Sequence, residues 1–184
     1  MQRSDAWKLV TEYTKSESLR KHMLAVEAAM RFYARQFDED QDKWGIVGLL
    51  HDFDYEQNPS QDKHPFVGVE ILEEKGYPDE IRRAILSHAD YSGVHPESQM
   101  EKTLSAVDEL TGFITAVVLV RPSRSLSDVT PKSVKKKMKD KGFARNVSRE
   151  DIHRGAEMLG LPLDHHIQNV IVAMQGIAIE LELE

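Results

Sequence analysis

Six side chains with metal-binding chemistry occur in the first two thirds of the sequence. They are four histidines and two aspartates: His22, His51, Asp52, His64, His88 and Asp108. Neutral imidazole and carboxylate groups are preferred ligands of Zn, Fe, Ni and Mn. Because the chain contains no cysteine, any bound metal must be held by nitrogen and oxygen atoms. These six residues are therefore the candidate ligands of a metal site.

Two of the candidates, His51 and Asp52, are adjacent, and this restricts how they can be used. Neighbouring residues of an α-helix project about 100° apart, so both can reach one ion only where a helix ends or distorts. The polar, proline-containing segment that follows them predicts such an end. The two carboxylate oxygens of Asp52 could also bridge a pair of ions, with His51 bound to one of them.

The elements that would position these residues are predicted to be helices. Apolar residues recur at intervals of three or four, whereas alternating runs long enough for a strand are absent. Capping residues, prolines and glycines place five helices at about 16–37, 42–50, 65–76, 78–88 and 100–120. Shorter helices are predicted at about 131–139, 149–159 and 163–181. The fold class is therefore all-α, and the six candidate ligands come from the first five helices.

Length and composition limit the classes of protein to which the chain can belong. A length of 184 residues with 40% hydrophobic residues predicts one domain, with a core at about 16–120 and a C-terminal helical extension at about 121–184. No apolar run is long enough for a membrane span, and the first residues do not resemble a secretory signal. We expect a soluble, cytoplasmic protein. A net charge of −7 argues against general nucleic-acid binding and favours a small substrate.

The candidate ligands resemble the motif of the HD-domain metal-dependent phosphohydrolases. That motif is a His, a His-Asp pair and a later Asp on a five-helix core, and here it would be His22, His51-Asp52 and Asp108. The local strings LLHD, AILSH and AVD, which end at Asp52, His88 and Asp108, carry the resemblance. Members with two metals insert two further histidines before the final Asp, where His64 and His88 stand. The resemblance implies an HD fold with one or two divalent ions, drawn from Fe, Mn, Ni, Zn, Co or Mg.

The same resemblance implies a reaction and a substrate class. A bound divalent ion lowers the pKa of water and so provides hydroxide at neutral pH, which would hydrolyse a small, nucleotide-like phosphoester or phosphoanhydride. Asp52 would take part in catalysis as a ligand. Asp54 or Glu56, which follow the His-Asp pair, would order the water or protonate the leaving group. Lys63 and Lys102 are the candidate phosphate-binding residues.

Two alternatives to a phosphohydrolase remain open at this point. Some HD-fold proteins use a similar set of four histidines and two aspartates in a di-iron oxygenase, and others bind a ligand without turnover. The remaining histidines, His95, His153, His165 and His166, have no matching spacing and are interpreted as surface or capping groups. Six lysines between positions 132 and 141 are interpreted as a solvated helix face or as a lid over a polyphosphate or nucleic-acid end.

Overall fold

The computed structural model describes residues 2–184, and within this range the chain forms ten α-helices and no strand. The all-α prediction is confirmed. No helix in this range is long and apolar enough to cross a bilayer. In chain order the helices are α1 (Arg3–Tyr13), α2 (Glu17–Gln36), α3 (Gln41–Leu50), α4 (Phe66–Glu74), α5 (Asp79–Ser87), α6 (Gln99–Leu119), α7 (Pro131–Met138), α8 (Arg149–Met158), α9 (Leu163–Gln175) and α10 (Ala178–Leu181).

Side chains at the N-termini explain where the longer helices begin. The Ser16 hydroxyl accepts a hydrogen bond from the Leu19 amide and caps α2, as predicted. Asp40 caps α3 by accepting from two amides of its first turn, so this helix begins one residue before its predicted start. Ser98 and Glu101 form a reciprocal capping box at the start of α6. These caps set the start of three helices that carry candidate ligands.

The core is built around α2, which packs against α3, α6 and α9. Helix α6 also packs against α8, so the C-terminal helices α8 and α9 lie on the same core as the helices that carry the candidate ligands. The largest fully buried side chains include Trp44, Tyr33, Phe53 and Phe113. One contiguous set of buried apolar residues extends from Ala6 in α1 to residue 183. This packing fixes the helices that carry the candidate ligands relative to one another.

Two features of the helical pattern differ from the prediction. Helix α1 was not predicted, because it buries only Ala6, Leu9 and Val10 and its apolar stripe is short. The predicted helix over 163–181 is interrupted between α9 and α10. Ile177 at the interruption has a φ of −130° and ψ of 28°, outside the helical region.

His166 corrects the interpretation of the unmatched histidines as surface or capping groups. Its side chain is fully buried in α9. Its Nδ1 atom lies 2.6 Å from the Tyr33 hydroxyl, and its Nε2 atom lies 2.9 Å from the Ala106 carbonyl oxygen. Burial lowers the pKa of His166, so the neutral ring is favoured. The hydroxyl then donates to Nδ1 and Nε2–H donates to the carbonyl, which joins α9 to α2 and α6.

Candidate metal centre

The His-Asp pair lies at the end of a helix, as its spacing predicted. Helix α3 ends at Leu50, and His51, its C-cap residue, begins the turn that follows and that includes Asp52. His88 is likewise the C-cap residue of α5. Nε2 of His51 and Oδ2 of Asp52 lie 3.6 Å apart, so these adjacent side chains both face the same centre.

Three side chains from three helices form the first half of the centre. The Nε2 atom of His22 in α2 lies 3.0 Å from Oδ1 of Asp108 in α6. The Nε2 atom of His51 lies 3.4 Å from the same oxygen and 3.6 Å from Oδ2 of Asp52. The donor atoms of His22, His51 and Asp108 all lie within 4.8 Å of one another, so this group could hold one ion.

The second half of the centre is formed by His64, His88 and the other oxygen of Asp52. The Nε2 atoms of His64 and His88 lie 3.2 and 3.5 Å from Oδ1 of Asp52 and 3.4 Å from each other. These three residues form a second group that could hold an ion. Because Oδ1 of Asp52 faces His64 and His88 whereas Oδ2 faces His51, this carboxylate could contribute one oxygen to each group.

Backbone and side-chain acceptors orient three of the imidazoles toward the centre. The Nδ1 atoms of His51 and His88 lie 2.8 and 2.5 Å from the carbonyl oxygens of Gly48 and Ile85. A carbonyl only accepts, so Nδ1 carries the proton in both rings and the Nε2 lone pair faces the centre. Nε2 of His51 is buried and has no hydrogen-bond partner among residues 2–184. A buried nitrogen without a partner is costly, and a bound cation would satisfy it.

Asp54 orients the third imidazole and is itself fully buried. Its Oδ1 atom lies 2.9 Å from Nδ1 of His64, and its Oδ2 atom accepts a hydrogen bond of 3.1 Å from the Gly68 amide. A Cβ atom at Gly68 would lie 2.7 Å from Oδ1 of Asp54, so only glycine permits this approach. Asp54 therefore acts through His64, and the structure gives it no direct contact with the cavity.

The charges of the centre favour a cation. Burial lowers the pKa of His51, yet the carboxylates of Asp52 and Asp108 outweigh it and leave that pKa raised. Burial also lowers the pKa of His64, but hydrogen bonds with Asp52 and Asp54 raise it to about 9. Burial raises the pKa of Asp52 and Asp108, but the charge of His51 and the hydrogen bonds with the surrounding histidines together outweigh burial and lower the pKa of both carboxyls. Without metal the carboxylates therefore favour the protonated form of His51 and His64, and a divalent ion would replace these protons.

A cavity of about 480 Å³ opens directly onto the centre. Five of the six candidate ligands line it, whereas His51 lies fully buried behind them. Tyr55 and Tyr91, about two-fifths exposed, form part of its wall. Arg154 of α8 is the one Lys or Arg among the described residues that line the cavity. It is bound at 2.8 Å to both Asp90 and Asp151.

Three other predicted site residues are not brought to the cavity. Glu56 accepts hydrogen bonds from the Lys15 and Ser16 amides, the latter at 3.1 Å, and so caps the start of α2. The Lys63 side chain is exposed, since its neighbour His64 takes the inward direction. Lys102 precedes Asp108 by six residues, which at 100° per residue places it on another face of α6.

Several cavity residues were missed in the sequence. Glu109 follows Asp108 and lines the cavity, where burial first and the charge of Asp108 second raise its pKa to about 7. The sequence offered a signal for two of them, since Glu109 is adjacent to the candidate ligand Asp108 and Tyr91 follows the candidate ligand His88 by three residues. Arg154 gave no such signal, because it reaches the cavity only through the contact between α6 and α8. That contact is close: a Cβ atom at Gly155 would lie 2.6 Å from Cα of Ala106.

The lysines between positions 132 and 141 lie on and after α7 and do not line the cavity. Lys135 forms an ion pair of 2.5 Å with Asp164, and the Lys137 ammonium lies 4.7 Å from the centre of the Phe143 ring. Lys132, Lys136 and Lys139 are exposed. Most of this run therefore forms a solvated helix face.

Comparison with known families agrees with this geometry. The HD domain family model matches residues 19–112, which extend from the first turn of α2 into α6 and include all six candidate ligands. The chain has no match among curated proteins and none among solved structures.

Proposed function

The chain belongs to the HD domain family, and from this premise we propose that it is a metal-dependent phosphohydrolase of a small, nucleotide-like phosphoester or phosphoanhydride. One observation carries the proposal: Asp52 belongs to one of two three-residue groups that could each hold an ion, and its second carboxylate oxygen faces the other group, at the base of a cavity. Divalent ions bound by these residues would lower the pKa of a water and stabilise charge on a transferring phosphoryl group.

The charge of the cavity supports a role for cations in substrate binding. Five carboxylates line it, against the single guanidinium of Arg154. Because Asp90 and Asp151 already bind that guanidinium, little positive charge remains for a phosphate. Divalent ions would add positive charge to this wall and so favour the binding of an anionic substrate. Arg154 would then orient the substrate, since a guanidinium can donate two parallel hydrogen bonds to a phosphate.

The chain's own residues would hold the reacting groups in place. The carbonyl oxygens of Gly48 and Ile85 and the carboxylate of Asp54 keep three imidazoles in the tautomer that directs Nε2 inward. Burial of His51 excludes water from the back of the centre. Phosphoryl transfer needs mainly positioning and charge stabilisation, so a preorganised set of this kind is sufficient to support it.

Metal analysis followed by a phosphatase screen tests the proposal. Protein purified without chelator should contain one to two divalent ions per chain and hydrolyse one or more nucleotides or sugar phosphates. Asp52→Ala should lose both metal and turnover while retaining its helical circular dichroism, whereas exposed Asp62→Ala should retain all three properties. Full activity in Asp52→Ala would refute the assignment. Iron with a mixed-valent paramagnetic signal, without phosphatase activity, would favour the oxygenase alternative.

A further inference from the structure

A second cavity, of about 440 Å³, adjoins the cavity at the metal centre and shares two lining residues with it, His22 and Gly112. Its other walls include Leu119, Arg124 and residues 181–183. We infer that the two cavities form one groove, and that the organic group of the substrate extends from the metal centre past Gly112 into the second cavity. The inference rests on the proposed function and extends it to a class of substrate.

One face of α6 runs along both cavities. Asp108 and Gly112 line the first cavity, and Gly112, Thr115 and Leu119 line the second. These residues follow one another at intervals of three or four, which places them on a single face of the helix. At 1.5 Å per residue, Thr115 lies about 10 Å and Leu119 about 16 Å along the axis from Asp108. The groove is therefore longer than a phosphate needs and suits an extended organic group.

Gly112 lies where the cavities meet and has no structural reason to be glycine. Cβ atoms at Gly68 and Gly155 would lie less than 3 Å from neighbouring atoms, whereas a Cβ atom at Gly112 would meet nothing within 4 Å. Its φ is negative, as expected inside a helix, so left-handed backbone does not require it either. Glycine inside a helix is less stable than alanine. The missing side chain keeps the passage between the cavities open.

The walls of the second cavity indicate the chemistry of the organic group. Leu119 is half exposed and offers an apolar surface. Lys21 is already paired with Glu182 at 2.6 Å. The Arg124 guanidinium forms no hydrogen bond or ion pair with any residue in the range 2–184. Besides Glu182, the Glu17 carboxylate also lines the cavity. The second cavity therefore fits a group with an apolar body, and Arg124 is the residue that would bind an anionic end of that group.

Three phosphoesters that differ in chain length or in end group test the groove: propyl phosphate, octyl phosphate and 8-phosphonooxyoctanoate. Wild-type kcat/KM should be at least tenfold higher for 8-phosphonooxyoctanoate than for propyl phosphate. Gly112→Leu should lower kcat/KM for the two long esters at least tenfold more than for propyl phosphate. Arg124→Ala should lower it selectively for the carboxylate ester. Ala116→Leu, on the same helix but lining neither cavity, is the matched control and should not change the ratio.

Binding and stability measurements separate this inference from the proposed hydrolysis. Calorimetry of the metal-loaded protein with propylphosphonate and 8-phosphonooctanoate, which lack a cleavable ester, should show at least tenfold tighter binding of the longer ligand. Length-dependent binding without hydrolysis of any ester would support the groove and would refute the proposed phosphohydrolase activity. Hydrolysis without dependence on length, or equal losses for all esters in Gly112→Leu, would refute the groove. Gly112→Ala should raise Tm by roughly 2 to 4 °C, showing that the fold tolerates a side chain there.

Discussion

Replacing Asp54 by Asn tests whether the buried carboxylate behind His64 sets the affinity of the second group of ligands. Asp54 does not line the cavity, and its two oxygens serve two different donors, His64 Nδ1–H and the Gly68 amide. Asn has nearly the same shape but only one acceptor oxygen. One of the two donors would therefore face the Asn NH₂ group in a buried site. Either His64 would lose its fixed orientation, or the Gly68 amide would lose its hydrogen-bond acceptor.

The size of the effect follows from two independent estimates. A buried donor left without an acceptor costs about 1 to 3 kcal/mol. Loss of a group that orients a metal-binding histidine typically lowers metal affinity about 10- to 100-fold, which corresponds to about 1.4 to 2.7 kcal/mol. The two ranges agree. We expect Asp54→Asn to weaken the ion held by Asp52, His64 and His88 by this factor and to leave the ion held by His22, His51 and Asp108 nearly unchanged.

Calorimetric titration of metal-free protein with Mn²⁺ or Zn²⁺, supported by elemental analysis, measures both sites. Wild type should bind two ions, and Asp54→Asn should bind one with unchanged affinity and a second 10 to 100 times more weakly. Asp62→Asn, an exposed aspartate on the same segment, is the matched control. Equal weakening of both ions, or no weakening, would refute the role assigned to Asp54.

The remaining predictions concern pH and helix packing. The pKa of His64 in the folded protein is about 9, above its unfolded value of about 6.5, so its protonation stabilises the metal-free fold below pH 6.5. The stability of the metal-free protein, measured by urea unfolding, should therefore fall as the pH rises through 9, while its metal affinity should rise. A metal-free stability that stays constant or increases over this range would contradict the prediction. In Gly155→Ala the new Cβ atom would lie 2.6 Å from Cα of Ala106. The free energy of unfolding of this variant should fall by about 1 to 3 kcal/mol, and its kcat/KM should also fall because Arg154 would be displaced. The control variant Gly142→Ala should change neither quantity. Full stability of Gly155→Ala would show that α6 and α8 do not meet there.

The helices and the set of candidate ligands were predictable because their signals are local. Ser16 and Pro78 are the N-cap residues of α2 and α5, and residues of these types are recognisable in a sequence as helix starts. The end of α3 at Leu50 follows from the polar segment after it. The spacing of the candidate ligands carried a resemblance to a known family, and residues 19–112 match that family. The division of Asp52 between two groups was also anticipated, because a carboxylate has two oxygens and the sequence supplies two further histidines.

The cavity walls and the supporting contacts were not predictable, because they depend on how helices distant in sequence pack. Asp54 and Glu56 follow the same His-Asp pair, yet one turns inward to His64 and the other caps α2. Nothing in their spacing distinguishes these roles. His166 has no matching spacing and is nevertheless buried against Tyr33, 133 positions earlier in the chain. Such contacts require the relative placement of α2, α6 and α9.

The origins of the cavity residues separate the candidate metal ligands from residues that, in the proposed function, would select the substrate. All six candidate ligands lie within residues 19–112, which match the HD domain, whereas Asp151 and Arg154 of the first cavity and Arg124 of the second lie outside that range. Catalytic groups must be held to within about 0.5 Å, so few changes are tolerated among the ligands. The walls carry no such restriction. Substitutions after residue 112 should therefore change KM and substrate preference more than metal content, and substitutions among the ligands should do the reverse.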